Sequence, residues 1–586
     1  MIVPMHKVIV LCRAAGREAG LLSLRQLGVL HPVLERVVEH EDIESARRRL
    51  EHIRRAAEIL PNLPRAQPSG KSPGEVVDEL SRLLRLRRET AEELELLRQE
   101  CARVSPFSDF SPRDLAALAE KGVFIRLFQA AADSLPVVPA AALCLETSRT
   151  RAAVSFVIVT VGETPEIAAQ ELRPPAMSLA DVKSRIGELE ATQARIADEI
   201  AGFAGDRSAL ARARAEAEEM VQMTEIRAGM GRAMDGVVYL QGFCPSDDVS
   251  RLRDAARKNG WGLVIDEPAE SDLVPTLIRN PRWLQPIEAV FELIGILPGY
   301  REIDVSLWFL LFFSLFFAML VGDAGYGAIF LGLTLWAQRK FPASPTHPFT
   351  LLKITSAATI VWGVLTGTYF GIPDLPAPLA ALKVSWLGDE EHVKDLCFWI
   401  AAIHLSIAHV WNIANLIRSP QALAQVGWLC VVWFMFFSAR SVVLNLPFPS
   451  IMTWVFGAGV VLIVLFMTPR RNLRDEWFNH VMLPLNLVGS FVDVISYIRL
   501  YAVGTASFAI ASTFNIMLAP MFDGWLSGLL AALLLFVAHT VNIVLAVMGV
   551  MVHGIRLNTL EFASHLGLQW SGFPYRPWQR MRATSA

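Results

Sequence analysis

From residue 305 to residue 568 the chain carries a succession of apolar stretches long enough to cross a bilayer, and residues 1–304 carry none. A hydrocarbon core about 30 Å thick needs about 20 apolar helical residues to span it. The candidate spans are 351–371, 394–417, 425–440, 451–468, 480–518 and 525–566, together with the stretch 305–337. That last stretch is too long for one comfortable crossing and short for two. Charge decides between them, because Lys and Arg collect in cytoplasmic loops. With two crossings and a turn at Gly322-Asp323-Ala324-Gly325, the cytoplasmic segments hold Arg339, Lys340, Arg418, Arg470, Arg471, Arg474, Arg576, Arg580 and Arg582. The outer segments then hold only Lys383, Lys394 and Arg440, and loop 372–396 adds Asp374, Asp389, Glu390, Glu391 and Asp395. One crossing would invert this bias. The expectation is eight transmembrane helices in residues 305–568, a cytoplasmic tail at 569–586, and a multi-pass protein of the cell inner membrane with both termini cytoplasmic.

Residues 1–304 are rich in Arg, Glu and Ala, and the opening MIVPMHKVIVLCRAAG has no cleavage pattern, so this half is expected to fold in the cytoplasm. Short apolar runs at 7–12, 153–161, 236–243 and 262–267 predict strands of small α/β lobes. Two charged segments keep heptad spacing. In 76–104 the seam is Leu80, Leu83, Leu94, Leu97, Cys101 and Val104, with Arg87 and Thr90 as defects. In 178–221 it is Val182, Ile186, Leu189, Ile196, Ile200, Phe203 and Leu210. A sustained 3.5-residue period calls for a partner helix. The two segments are expected to pair as a long antiparallel coiled-coil hairpin joining the lobes; two ordinary amphipathic helices are the alternative. The fold class is thus an α-helical membrane protein in which cytoplasmic α/β lobes joined by a long antiparallel coiled-coil hairpin precede eight transmembrane helices.

Other classes are excluded or weak. Hydrophobic residues make up 53% and charged residues 19%, which rules out disorder, and a net charge of -3 gives no footprint for nucleic acid. The six cysteines are scattered without a CxxC or Cys/His cluster, so neither a zinc site nor a disulfide framework is indicated, and no metal or cofactor is expected. Gly70-Lys71-Ser72 ends like a phosphate-binding loop, but position 65 is Arg where that loop needs Gly. It reads as a loop, and the chain is not expected to bind ATP or to be an enzyme itself. His404 and His409 are five apart, which suits a polar contact between helices better than a metal pair.

The last two stretches carry ionisable groups where each costs at least about 2.5–3.5 kcal/mol to insert. Stretch 480–518 holds Asp493 and Arg499; stretch 525–566 holds His539, His553, Arg556 and Glu561. At roughly 1.5 Å per residue the first would run about 58 Å, so both are expected to be long and tilted, with Pro484 kinking the first. Counting about 100° per residue puts Asn542, Gly549, His553 and Arg556 on one face. It puts Asn486, Asp493 and Tyr497 on another, with Ser490 beside them and Arg499 about 120° around. Small residues surround Arg499 (Ala502, Gly504, Ala506, Ser507, Ala509, Ala511, Ser512), a composition that lets helices approach closely.

Asp493-Val-Ile-Ser-Tyr-Ile-Arg-Leu-Tyr-Ala502 resembles the DVxSYxRLxAL signature of subunit I (subunit a) of bacterial and archaeal V/A-type ATPases, the V-ATPase 116 kDa subunit family. His553-Gly-Ile-Arg-Leu557 with Glu561-Phe562 resembles the family's LHxLRLHWVEF stretch, and Gly322–Gly327 its GDxGYG turn. Thr366–Gly371, His404–His409, Gly242–Pro245 and Asn280–Asp304 resemble further family elements. The resemblance implies a membrane stator of a rotary ATPase. In it, Arg499 faces a ring of membrane subunits with one carboxylate each, favours the ionised carboxylate and blocks a leak between two half-channels. Arg556 assists, and Asp493, Ser496, His553 and Glu561 line or support the half-channels. Asn486, Ser490, Tyr497, Asn542, Asp323 and His404 are supporting polar positions, Asp323 more as a helix cap than as an ion ligand. The implied partners are the ring, the peripheral stalks, the lipid bilayer and, indirectly, the soluble ATPase head. The implied ion is H⁺, with Na⁺ the alternative. The sequence departs from the family pattern at Ser507, Ala546 and Asn558. The rival readings are a self-contained secondary transporter, for which no internal repeat is present, and an uncoupled scaffold of the same fold.

Overall fold

The computed structural model describes residues 1–34, 41–61, 63, 67–131, 142–151, 153–162, 166–167, 169–373, 375–468 and 477–579. Arg65, Asp374, Arg470, Arg471, Arg474, Arg580 and Arg582, which entered the sequence arguments, lie outside the described residues.

Two antiparallel sheets form the first half. One has the strand order β2-β8-β1-β9, with β7 also on β8; it joins β1 (Met5–Arg13) and β2 (His31–Val33) to β7 (Gly231–Met234), β8 (Val237–Pro245) and β9 (Gly262–Asp266). The other has the order β4-β5-β3-β6, from β3 (Val123–Ala131), β4 (Leu143–Arg149), β5 (Ala153–Val161) and β6 (Gln170–Leu172). All four expected strands are present. The alternation of β1 puts Val8 and Val10 into a core with Leu21, Leu24, Leu240 and Leu252.

Four helices link the sheets: α1 (Glu41–Ile59), α2 (Pro73–Val104), α3 (Leu179–Gly202) and α4 (Arg207–Ala228). Ser72 starts α2 with a capping box to Glu75, so Gly70-Lys71-Ser72 is a helix entry. Leu80 and Leu83 of α2 share a core with Ile196 and Ile200 of α3, and Glu93 pairs with Arg185 across the same helices. Ser69 N–H meets Asp206 at one end and Arg103 meets the Arg173 carbonyl at the other, so α2 and α3 run antiparallel. Thr90 occupies a buried seam position and returns its hydroxyl proton to the Leu86 carbonyl. Segment 178–221, however, is not one helix. It breaks at Phe203–Asp206, where a Cβ on Gly205 would lie 2.1 Å from the Gln67 carbonyl oxygen. Beyond the break α4 packs on α1, a highly charged helix outside the expected pair.

The second half is helical: α5 (Ser306–Val321), α6 (Ala324–Lys340), α7 (Thr346–Thr366), α8 (Glu390–Asn415), α9 (Gln421–Leu444), α10 (Ile451–Phe466), α11 (Trp477–Ser496), α12 (Ile498–Leu518) and α13 (Trp525–Gly549). Among the described residues, five helical stretches are long and apolar enough to cross a membrane: α7, α8, α9, the run Trp477–Asp523 and the run Trp525–Leu566. The helices α5 and α10 are shorter and apolar. α5 is apolar all round and mostly enclosed, with Phe309, Phe316 and Leu320 fully buried and Leu307 and Leu311 exposed. Gly322, at φ 69°, ends α5, and Asp323 then caps α6 by accepting from Gly325 N at 2.8 Å and Tyr326 N at 3.1 Å. Its other oxygen accepts from Gly371 N at 3.2 Å, so the buried carboxylate is occupied as a cap. Ala324 lies against Gly363 and Gly327 against Ile360, so α6 runs antiparallel along α7.

After Gly567 the chain returns to the first sheet. Thr276 N–H donates to the Phe573 carbonyl, Tyr575 Oη to the Val29 carbonyl at 2.6 Å, and Trp578 N–H to the Leu30 carbonyl. Trp578 is buried in the same core as Val8 and Leu24.

Candidate functional site

The helical run from Trp477 to Asp523 is divided at Tyr497, the single turn residue between α11 and α12. On the α11 side, Asn486, Ser490 and Asp493 line a cavity of about 570 Å³ with His409, Gln425 and His565. Gly567 also lines it, and Trp570 a few residues on packs against Phe291 and Phe309, so this cavity lies at the end of the bundle nearest the sheets. On the α12 side, Leu500, Tyr501 and Gly504 line a second cavity of about 290 Å³ with Thr368, Lys383 and Glu390. That cavity lies where α5 and α7 end, away from the sheets. Arg499 stands between Asp493 and Leu500, hence between the two cavities along the helix.

Arg499 and Arg556 share one acceptor. Arg499 Nη1 and Arg556 Nε each lie 3.3 Å from Glu561 Oε1. The carboxylate is 3% exposed, while the arginine side chains are 25% and 48% exposed. Its second oxygen, Oε2, is buried with no hydrogen-bond partner among the described residues. His553 lies within coulombic reach of both arginines. What brings Glu561 to Arg556 is a change of helix: Val550–Gly554 and Leu557–Phe562 are π-helical. Wider turns of this kind concentrate at functional sites.

The same change corrects the single-face reading of Asn542, Gly549, His553 and Arg556. Asn542 is 1% exposed and faces the protein interior, whereas Arg556 is exposed. The π-helical turns slow the rotation per residue and move the later positions off the earlier face. Asn542 instead ties three helices together: its amide donates to the Tyr326 hydroxyl at 3.0 Å and to the Ser507 carbonyl at 2.8 Å, and it accepts from Ser507 Oγ. His539 extends this group, with Nδ1 2.7 Å from Tyr326 Oη and Nε2 3.2 Å from Asn515 Oδ1. Ser507 is therefore a cross-link between α12 and α13.

Two further positions differ from the expected face. Tyr497 does not join Asn486 and Asp493; its ring is fully buried, with the hydroxyl at hydrogen-bond distance (2.8 Å) of His404 Nδ1. His404 itself is sandwiched between Phe312 and Phe562, with centroids at 3.7 and 4.2 Å. Ser496 spends its hydroxyl proton on the Asp493 carbonyl of its own helix and does not line the cavity.

The residues that the sequence reading did not place here are His565 and, as a cavity residue, His409. Asp493 Oδ2 lies 3.1 Å from His565 Nε2, His565 Nδ1 lies 2.9 Å from His409 Nε2, and His409 Nδ1 lies 2.9 Å from Gln425 Oε1. Neither a common spacing nor a common helix joins them. His565 does fall inside the 525–566 stretch, where it counts with the other ionisable residues.

A helical bundle with five stretches long and apolar enough to cross a membrane, carrying buried polar and ionisable side chains, defines the class as an integral membrane protein. No protein-family model matches the chain. The chain is 30% identical over 628 residues to V-type ATP synthase subunit I 1 of Treponema pallidum, covering 99% of this chain and 100% of that one. It is 33% identical over 390 residues to V-type ATP synthase subunit I of Borreliella burgdorferi, covering 62% of this chain and 64% of that one. It is 24% identical over 488 residues to A-type ATP synthase subunit I of Methanocaldococcus jannaschii, covering 73% and 69%. The chain belongs to the V/A-type ATP synthase subunit I family.

Proposed function

We propose that this protein is the membrane stator of a rotary V/A-type ATPase, and that Arg499 is its coupling charge. The observation that carries the reading is the place of Arg499 between two polar cavities at opposite ends of the bundle. Each cavity serves as a half-channel for the ion. Arg499 meets the carboxylate of each passing ring subunit and favours its ionised form, so the ion leaves by one cavity and the next site loads from the other. Arg556 and His553 support the local positive charge, and Asp493, Asn486 and Ser490 line the half-channel nearer the sheets. The outward alanines of α12 (Ala502, Ala506, Ala509) are exposed, which leaves room for a closely packed ring helix.

In this reading residues 305–568 cross the membrane eight times. The reversal at Gly322-Asp323 and the antiparallel course of α6 along α7 support counting two crossings there. Both termini then lie in the cytoplasm. Residues 1–304 form an arm stiffened by a coiled-coil hairpin of α2 and α3, which anchors the peripheral stalks and through them the catalytic head. ATP is bound elsewhere in the complex.

The test is ATP-driven ion transport by the assembled complex in vesicles, wild type against Arg499→Ala. Loss of coupled transport with the complex still assembled is expected. Unchanged coupled transport in the variant overturns the assignment.

A further inference from the structure

We propose that Asp493, His565, His409 and Gln425 form a proton relay in the cavity nearest the sheets, and that this relay makes H⁺ the transported ion. The inference rests on the reading of this chain as an ion-conducting stator, and it assigns the chemistry of one half-channel.

The four side chains come from α11, the end of the α13 run, α8 and α9, so the arrangement is a product of tertiary packing. Its three links measure 3.1, 2.9 and 2.9 Å. Both imidazoles are buried, with His565 7% and His409 3% exposed, and Asp493 is 29% exposed at the cavity wall. Asn412 fixes the segment by donating to the His565 carbonyl at 3.0 Å.

Hydrogen-bond direction fixes where a proton must sit. Gln425 Oε1 accepts, so His409 Nδ1 carries hydrogen and, in a neutral ring, His409 Nε2 is a lone pair. His565 Nδ1 must then donate to it. That leaves His565 Nε2 without hydrogen if the ring is neutral, facing the Asp493 oxygen. Two acceptors cannot hold a 3.1 Å contact, so one proton resides between Asp493 Oδ2 and His565 Nε2. With the Gln425 amide turned over, the same links run in reverse, from the amide N–H to His409 Nδ1, from His409 Nε2 to His565 Nδ1 and from His565 Nε2 to an ionised Asp493, so the two orientations are the relay before and after it passes a proton.

Transport follows without any redox change. The O–H of Asp493 breaks as an N–H forms at His565 Nε2. His565 then passes its Nδ1 hydrogen to His409 Nε2, His409 releases its Nδ1 hydrogen to cavity water, and the Gln425 amide turns over so that its N–H donates to the emptied Nδ1. A sodium ion cannot use this path, because hard cations are held by clusters of oxygen ligands and the middle link here is nitrogen to nitrogen.

The experiment is ATP-driven acidification of vesicles holding the assembled complex, with sodium present or absent and with or without imidazole in the buffer. His565→Ala and His409→Gln are each expected to slow acidification about ten-fold or more, within the range of proton-transfer groups. Imidazole is expected to restore His565→Ala by entering the cavity, a rescue that a purely structural loss would not show. Wild-type pumping is expected to be indifferent to sodium. The relay is overturned if both variants pump at the wild-type rate, if pumping requires sodium, or if imidazole fails to restore an assembled His565→Ala complex. Should His565→Ala not assemble, His409→Gln alone decides through its rate. Absence of coupled transport in the wild type would instead overturn the stator reading, and the relay with it.

Discussion

Arg556 and Glu561 are five residues apart and lie 3.3 Å from each other. In an α-helix that spacing would point the two side chains roughly 140° apart. The π-helical segment Leu557–Phe562 closes the angle and delivers the carboxylate to Arg499 as well. Glu561 is thereby the resident counter-ion of both arginines.

Replacing that charge should be felt by both. Glu561→Gln keeps the shape but leaves two cations sharing a neutral amide. Hydrogen bonds to charged groups are worth about 1.5–3 kcal/mol. The partial exposure of both arginines places the expected stability loss at the low end, about 1–2 kcal/mol. Thermal unfolding of the purified complex measures it. Coupled transport should fall as well, because Arg499 loses the group that holds its position.

The close approach of α6 to α7 makes Gly363 irreplaceable. A Cβ there would sit 2.1 Å from the Ala324 backbone nitrogen, and backbone cannot move aside as a side chain can. Overpacking of this kind typically costs about 1–3 kcal/mol, or more where nothing yields. Gly363→Ala should lower the melting temperature and the yield of assembled complex, while Gly332→Ala, with open space around its Cβ, should change neither.

Asn542 serves partners on two other helices. Asn542→Ala strands the Ser507 hydroxyl in a buried setting and removes both donated bonds. Leaving buried polar groups unsatisfied costs about 1–3 kcal/mol. Denaturant or thermal unfolding should register that loss, and the double variant Ser507→Ala with Asn542→Ala should cost less than the sum of the two single changes.

The sheet domain should show an acid-sensitive element. The Lys7 ammonium, 2.8 Å from Asp272, holds that carboxyl below its ordinary range, with the Ala269 N–H adding to the effect. A carboxyl whose folded value is depressed binds fewer protons when folded. Its stabilising contribution is complete above the unfolded value of about 3.9 and is lost as pH falls through the lower folded value. The stability gap between wild type and Asp272→Asn should therefore be constant near neutral pH and shrink below about pH 4. Melting curves at stepped pH test this.

The parts of this structure visible in the sequence are those written locally. Four strands declared themselves by apolar runs, and the turn at Gly322-Asp323 by its glycine and its capping aspartate. Arg499 stood out because an arginine inside an apolar helix is costly. What escaped was written non-locally or against the assumed period. Asp493 and Glu561 are the carboxylates the sequence offers as structural partners for the two arginines, but counting 100° per residue fails at Val550, where the helix widens, so spacing alone does not show that both share Glu561. The partner of α4 was missed because α1 is so charged that its buried residues, Ile43, Ile53 and Ala56, make a thin stripe. His565 and His409 are 156 positions apart, and only the fold brings them together.

The return of residues 573–578 to the first sheet gives the arm a second attachment to the helices. A lobe joined by one strand of chain can swivel about single backbone bonds. Here the chain enters the bundle before Ser306 and comes back after Gly567, and Trp578 and Tyr575 fasten the returning strand. The two crossings run side by side, Gly572 N–H donating to the Leu297 carbonyl and Tyr575 N–H to the Thr276 carbonyl, so they form one paired strap that swivels less freely than a single strand. Twisting load applied at the far sheet would pass into the helices through both members of that strap.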